Sequence, residues 1–329
     1  MLQGGFMISN FLVYESEQFN PYINLAIEKV LFDGVDNNTL ILYLWQNKNT
    51  VVIGKNQNPW AECNCDLLQK EGGFIARRMS GGGAVFHDSG NLNFTFICTK
   101  ENYNQELNFS IIKSACENCG INAELSGRND ILVNGKKFSG NAFYHSGKNS
   151  YHHGTLLIST DSKKIERYLT PNSDKLKAKG VKSVESRVIN LSEINPKLTI
   201  NSLKKMLIST SETQLGLKAE TIAELPENEI DKIACEIGSW KYIFGNTLPF
   251  SLTYSARLSF GNTQLNLNLE GGKISDAILY TDSLDTTIAD TLKSALIGCE
   301  FNEESIKSNL QKTFPPDITN EILTLINKP

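Results

Sequence analysis

The residues best equipped for chemistry in this chain surround the loop Arg77-Arg78-Met79-Ser80-Gly81-Gly82-Gly83-Ala84-Val85-Phe86-His87-Asp88. Three successive glycines let backbone approach a ligand closely, offer N–H donors to phosphate oxygens and adopt positive φ. Arg77 and Arg78 suit bidentate contact with phosphate or carboxylate, and His87 and Asp88 add polar groups on the far side. The loop is neither a Gly-x-Gly-x-x-Gly turn nor a P-loop, so on glycine content alone a flexible hairpin is the plain alternative.

Three further stretches carry candidate chemistry. Between Ser126 and His145, Asn134-Gly135 is a two-residue hairpin signal that predicts paired strands over 131–133 and 137–142. Lys136 and Lys137 fall just past that turn, and Ser139-Gly140 then keep the backbone small, as a nearby ligand requires. Asp130, preceded by Asn129, reads either as a magnesium ligand or as a turn-forming Asx residue. In Tyr151-His152-His153-Gly154-Thr155, two of the four histidines meet no nearby cysteine or acidic cluster. A pocket lining fits them better than a metal site. The basic stretch Lys175 to Leu191, around Gly180, either folds over an anionic ligand or is a solvated linker.

The elements that position these residues alternate between strands and helices up to about residue 246. From Asn20, an N-cap before Pro21, the pattern predicts a helix ending at Gly34 with Ile23, Ile27, Val30 and Leu31 on one face. Short β-branched and aromatic runs over 39–45, 51–54, 74–78, 84–87 and 91–97 read as strands. Their spacing is too close for a purely parallel sheet, which needs long crossovers, so a mixed or largely antiparallel sheet with flanking helices is expected. After Trp240 the text becomes three strands joined by glycine-containing turns. Leu265, Leu267 and Leu269 alternate with Gln264, Asn266 and Asn268, which gives that sheet one wet face. Helical patterns follow near 286–298 and around Ile306 and Leu310. The fold class is therefore α+β, with residues 1–246 forming one domain and 247–329 a small second one.

Composition narrows the function classes. The 329 residues are 40% hydrophobic and 21% charged, with formal net charge −4, so no basic face suggests nucleic acid. No basic leader with a long apolar stretch opens the chain and no run approaches ~18 apolar residues, which points to a cytoplasmic protein. Seven cysteines, an odd number, suit a reducing compartment. Cys116 and Cys119 share a helical face with Phe109 and Ile112 and read as core packing ahead of redox chemistry.

Taken in order, NPWAECN, RRMSGGGAVFHD, SGRNDILV, GKKFSGNAF, YHHGTLL and KGVKSVESRVINLSE, spread over most of residues 13–194, closely resemble the lipoate–protein ligase A family. The resemblance continues through SWKYIFG and the TDSL sequence of the C-terminal part. It implies a mixed-sheet catalytic domain of the biotin ligase and lipoate ligase type with a small accessory domain. It implies ATP and Mg²⁺, and an activity that converts lipoate to lipoyl-AMP and passes the lipoyl group to a lysine. The acceptors it implies are lipoyl domains of 2-oxoacid dehydrogenase acyltransferase subunits and the glycine cleavage H protein.

By position, Lys137 matches the family lysine that meets both the lipoyl carboxyl and the α-phosphate, and is the expected catalytic residue. Arg78, Gly83, Ala84, Val85 and Phe86 match ATP-binding positions, and Leu25, Trp45, Gly82, His87 and His153 match positions around the lipoyl group. Met79 and Tyr144 depart from the family pattern, in which a small serine and a basic residue are common. Two other readings stay open: an octanoyl or lipoyl transferase of the same fold, which needs a nucleophilic cysteine, and a non-catalytic lipoate-binding regulator. No cysteine lies between Cys119 and Cys235, which counts against the transferase.

Overall fold

The computed structural model describes residues 8–127, 129–169, 187–244, 252–270, 273–301 and 303–326. These divide into two compact units. The first takes Met1–Val52, Asn64–Ala76 and Val85–Ser239, and the second Ile53–Cys63, Arg77–Ala84 and Trp240–Pro329. The domain boundary expected at 246/247 and most of the basic stretch from Lys175 lie outside the described residues.

The first unit is organised by strands β1 (Asn10–Glu15), β2 (Thr39–Trp45), β3 (Thr50–Ile53), β4 (Phe74–Arg77), β5 (Val85–His87), β6 (Asn91–Thr99), β7 (Glu124–Ser126), β8 (Asp130–Val133), β9 (Lys136–Ser146), β10 (Asn149–Leu157) and β11 (Ala219–Thr221). Eight of them form one sheet in the order β11-β1-β2-β6-β10-β9-β8-β7, and β4-β3-β5 form a small second sheet. The β11-β1-β2 edge is parallel, and the pairs β2·β6, β6·β10, β10·β9, β9·β8 and β8·β7 are antiparallel. This is the mixed sheet that the short spacings predict.

Every residue of β2, β6 and β10 is buried, because both faces of these central strands are covered. On one face Leu42, Leu44, Phe94 and Phe96 join Phe109, Ile112, Ala115 and Cys116 from helix Gln105–Asn118 and Leu203 and Leu207 from helix Ile200–Leu215 in the main core. Burial there pushes the Cys116 thiol up to about 12, so the Cys-x-x-Cys pair packs as expected. The other face carries helix Pro21–Gly34, whose N-cap Asn20 accepts a hydrogen bond from the Tyr22 amide. Its buried side differs from the predicted stripe. Ile23 and Val30 are only half-buried, while Asn24 and Glu28 are fully enclosed beside Leu25, Ile27 and Leu31. The helix is turned so that two polar side chains meet polar groups on the sheet.

Asn134 and Gly135 take φ of 52° and 73°, the left-handed pair of a tight type I′ turn, and join β8 to β9 as expected. In the second unit β12 (Leu252–Leu258), β13 (Gly261–Glu270) and β14 (Lys273–Thr281) form an antiparallel meander. Leu265, Leu267 and Ile274 pack on Leu292, Leu296, Leu310 and Ile322 from helices Ile288–Leu296, Glu303–Leu310 and Pro316–Ile326. The last of these helices lies beyond the patterns read from sequence. No helix among the described residues is long and apolar enough to cross a membrane.

Candidate functional site

Strand register brings together the candidate site residues of the first unit. On the face covered by helix Pro21–Gly34, Trp45 pairs with Asn93, and Asn93 with Thr155. Gly140 follows on the next strand, where its amide donates to Thr155 Oγ1 at 3.1 Å, and Gly140 in turn pairs with Asp130. One row of side chains thus crosses β2, β6, β10, β9 and β8. A parallel row two residues along reads Tyr43, Thr95, His153 and Ala142. Alternation along a strand puts both rows on the same face.

Lys137 stands at the end of the first row. Its Nζ is 2.7 Å from Asp130 Oδ1, and a Cβ on Gly140 would lie 2.8 Å from that nitrogen. A side chain at position 140 would displace the lysine tip from this place beside Asp130. The Lys137 carbonyl also accepts from the Ile189 amide at 3.0 Å, which tethers the chain returning from the basic stretch to the lysine's own backbone. Asp130, read from sequence as a metal ligand or an Asx turn, has a third use as partner of the ammonium. Lys137 remains about one-third exposed at its side chain, so the cation is reachable.

A chain of directed hydrogen bonds fills the second row. The Trp45 indole, a donor only, gives its hydrogen to Thr95 Oγ1 at 3.2 Å, and that hydroxyl donates to Glu28 Oε1 at 2.8 Å. His153 Nδ1 meets the same carboxylate oxygen at 2.8 Å. Glu28 is 1% exposed, a burial tolerable for a carboxylate because two donors converge on it. His87 crosses Trp45 edge-on with ring centroids 6.0 Å apart. Asn24 Nδ2 donates to Asn47 Oδ1 at 3.0 Å, and Asn47 Nδ2 lies 3.2 Å from His87 Nδ1. This order makes Nδ1 the acceptor and leaves the His87 proton on Nε2.

The two neighbouring histidines part company. His153 faces the rows just described, whereas His152 points to the opposite core among Phe94, Phe96, Phe109 and Phe143. His152 Nε2 donates to Asn141 Oδ1 at 2.9 Å, and burial holds its pKa well below the ordinary value, keeping the ring neutral. Only one of the pair lines the site. Sequence patterns alone do not single out Glu28, Asn24, Thr95 or Asn93 as site residues. A polar pair at i, i+4 inside an apolar helical stripe, Asn24 and Glu28, was the available signal.

The glycine loop belongs to the second unit. Arg77, expected alongside Arg78 to contact phosphate or carboxylate, is instead consumed by structure. Its guanidinium donates to the carbonyls of Gly54, Lys55, Gln57 and Ile243, and burial lowers its pKa to about 10. Arg78 curls into the loop and donates to Ser80 Oγ at 3.0 Å, Gly81 O at 2.7 Å and Gly83 O at 2.8 Å. Gly82 adopts φ of 90°, and its amide donates to Ser283 O at 2.7 Å. A Cβ on Gly81 would lie 1.9 Å from that same Ser283 oxygen. Where the chain continues into β5, Val85 is half-buried and the Phe86 ring packs on Tyr168 with centroids 5.5 Å apart. Phe86 therefore has mainly backbone to offer a ligand.

Leu25 is 6% exposed on helix Pro21–Gly34. Met79 is half-buried, and the Tyr144 ring makes tilted contacts with Phe32 and Tyr151, its centroid 5.3 Å from each. Among the described residues no group of three or more His, Cys, Asp or Glu could hold a metal ion. Burial pushes the Cys98 thiol, like that of Cys116, to about 12, which disfavours the thiolate a nucleophile needs.

Comparison with known proteins agrees across sequence and structure. Residues 20–212 match the family described as lipoyl protein ligase A/B catalytic domain, and residues 247–326 match the bacterial lipoate protein ligase C-terminus. Lipoate-protein ligase A of Psychrobacter cryohalolentis is 38% identical over 312 residues, and that of Bdellovibrio bacteriovorus 39% over 307, each covering 91% of both chains. The crystal structure of P. falciparum LipL1 in complex with lipoate superimposes with TM-score 0.84 at 32% identity, covering 96% of this chain and 99% of that one. A lipoate-protein ligase A bound with ATP shares the fold at TM-score 0.61 and 23% identity, over 72% of this chain.

Proposed function

The chain belongs to the lipoyl protein ligase A/B catalytic domain family and is an ATP-dependent lipoate–protein ligase; from that premise we propose that Lys137 is where the lipoate carboxylate and the α-phosphate of ATP meet. The observation that carries this reading is the Lys137 ammonium, held at 2.7 Å by Asp130 above a glycine at the end of a row of polar side chains. An ammonium has three donors. Asp130 takes one, which leaves two for substrate oxygens.

A carboxylate and an amine do not condense usefully in water, so the acyl group must first be activated. Attack of a lipoate carboxylate oxygen on the α-phosphorus forms the C–O–P bond of lipoyl-AMP and breaks the bond to pyrophosphate, which leaves with its electron pair. Lys137 offsets the negative charge brought together at that point. The acceptor lysine, as free amine, then attacks the anhydride carbonyl. AMP departs and the amine proton is lost to solvent. Holding the two reactants in line contributes on the order of 7 kcal/mol or more in such reactions, a role suited to a site braced by strand register.

We assign the phosphates to the loop containing Arg78, Gly83, Ala84, Val85 and Phe86, and the acyl chain to Leu25, Trp45, Gly82, His87 and His153. Mg²⁺ needs one or two carboxylates beyond substrate oxygens. Asp130 is the residue that fits, and the ion would neutralise the phosphate charge that moves to the leaving group. The acceptors we propose are lipoyl domains of 2-oxoacid dehydrogenase acyltransferase subunits and the H protein of glycine cleavage, in the cytoplasm. Cys98 and Cys116 lie in the core with thiols raised by burial, so neither is suited to be the nucleophile of a cysteine-dependent transferase.

The test is lipoate-dependent release of pyrophosphate from ATP, with and without an apo lipoyl domain. Release with lipoate alone and amide formation on adding the domain are expected. No release with lipoate under any condition rejects the proposal.

A further inference from the structure

Asn93 sits in the middle of the row that ends at Lys137, between Trp45 and Thr155. It is 1% exposed. Its Oδ1 accepts from Asn91 Nδ2 at 2.9 Å, while among the described residues no acceptor lies within hydrogen-bond reach of its Nδ2. A buried amide donor without a partner is costly, and a protein that keeps one on a substrate-facing row has a use for it. Turning both amides over exchanges donor and acceptor but still leaves one end of Asn93 unmatched.

The distance along the row says what that end would meet. Asn93 on β6 lies two strands from Gly140 on β9, which at the ~4.8 Å spacing of paired strands is roughly 10 Å from the lysine end. An extended chain advances about 1.2 Å per bond, so the sixth to eighth carbons of an eight-carbon acid lie roughly 6 to 9 Å from its carboxyl carbon. In lipoate those carbons form the ring that bears the two sulfurs. In octanoate they end in a methyl group.

We propose that Asn93 is a specificity residue whose Nδ2 donates to a dithiolane sulfur, so that the site favours lipoate over octanoate. This rests on the assignment of the substrate carboxylate to Lys137. Sulfur is a weak acceptor, but it accepts, and the methyl terminus of octanoate does not. Sites that present a buried donor to one substrate discriminate against the analogue that cannot take it. The flipped amide would offer an acceptor, which neither acid's chain end can satisfy, and Nδ2 is therefore the end that serves the ligand.

The experiment measures pyrophosphate release from ATP with lipoate and with octanoate in the parent, in Asn93→Leu and in Asn93→Ala. The two variants remove the donor with and without keeping side-chain volume, so one suffices if the other fails to fold. The ratio of kcat/KM for lipoate to that for octanoate should fall roughly fivefold to tenfold, the scale of one buried hydrogen bond. General damage to the site lowers both values and cancels in the ratio. A ratio that stays within twofold of the parent's, or rises, overturns the assignment of Asn93. A parent that releases pyrophosphate with neither acid overturns the ligase reading on which the proposal stands.

Discussion

In the sheet row between Trp45 and Lys137 the working atoms are side chains, whereas in the glycine loop from Arg77 to Ala84 they are backbone. The row is braced by ladder pairing: Trp45, Asn93 and Thr155 face one another because their strands do, and the lysine tip is seated by Asp130 and Gly140. The loop has no ladder. Arg78 holds it from inside through three of its own residues, and Ser283 holds it from outside through the Gly82 amide. In the row, chemistry depends on which side chain occupies a position. In the loop it depends on the absence of one.

Substitutions at four positions sharpen or break this contrast. Lys137→Ala should have the largest effect, with adenylate formation falling ~100-fold or more while the melting curve stays near the parent's, since the residue is partly exposed. Lys137→Arg should rescue poorly because a planar fork does not replace a compact ammonium. Single-turnover rates of both half-reactions decide the matter, and near-parental rates would move the charge-stabilising role elsewhere. Gly81→Ala tests the loop: the added carbon meets the Ser283 carbonyl, which is backbone, so about 1 to 3 kcal/mol of stability should be lost. ATP affinity should fall with it. Parental calorimetric affinity in a stable Gly81→Ala protein would show that the loop tolerates a side chain after all.

Glu28→Ala should cost about 1 to 3 kcal/mol in chemical denaturation, because the Thr95 hydroxyl and the His153 ring N–H lose their shared acceptor. Glu28→Gln should recover part of that loss. Equal stability of the two variants would mean that the buried network does not depend on this acceptor. The smallest effect concerns pH. His152 is held neutral in the fold, so the unfolded chain binds a proton that the native state refuses. Stability from this group is present above about pH 6.5 and is lost as pH falls below it, by at most about 1.4 kcal/mol per pH unit. Melting of His152→Gln between pH 7.5 and 5 should fall less steeply than that of the parent. Parallel curves would assign the acid sensitivity to other groups.

Much of the site was legible before folding because its signals are local. Asn134-Gly135 announces its own turn, since two adjacent positive φ values select those residues, and Lys137 is carried to its location two residues later. Asn20 and Pro21 mark the start of their helix for equally local reasons. Motif order supplied the family.

What remained hidden depends on partners far away in the chain. Nothing around Arg77 distinguishes it from Arg78, yet one is consumed by the carbonyls of residues 54–57 and the other shapes the glycine loop. Adjacent histidines look like a pair, but the two-residue period of a strand sends them to opposite faces of the sheet, one into an aromatic core and one to Glu28. The sequence by itself determined the types of the elements with strong local patterns, the tight turn at Asn134-Gly135 and the family. Only the tertiary structure decided which of the polar residues face one another, because that is set by strand register and helix rotation, and both follow from packing summed over the whole sheet.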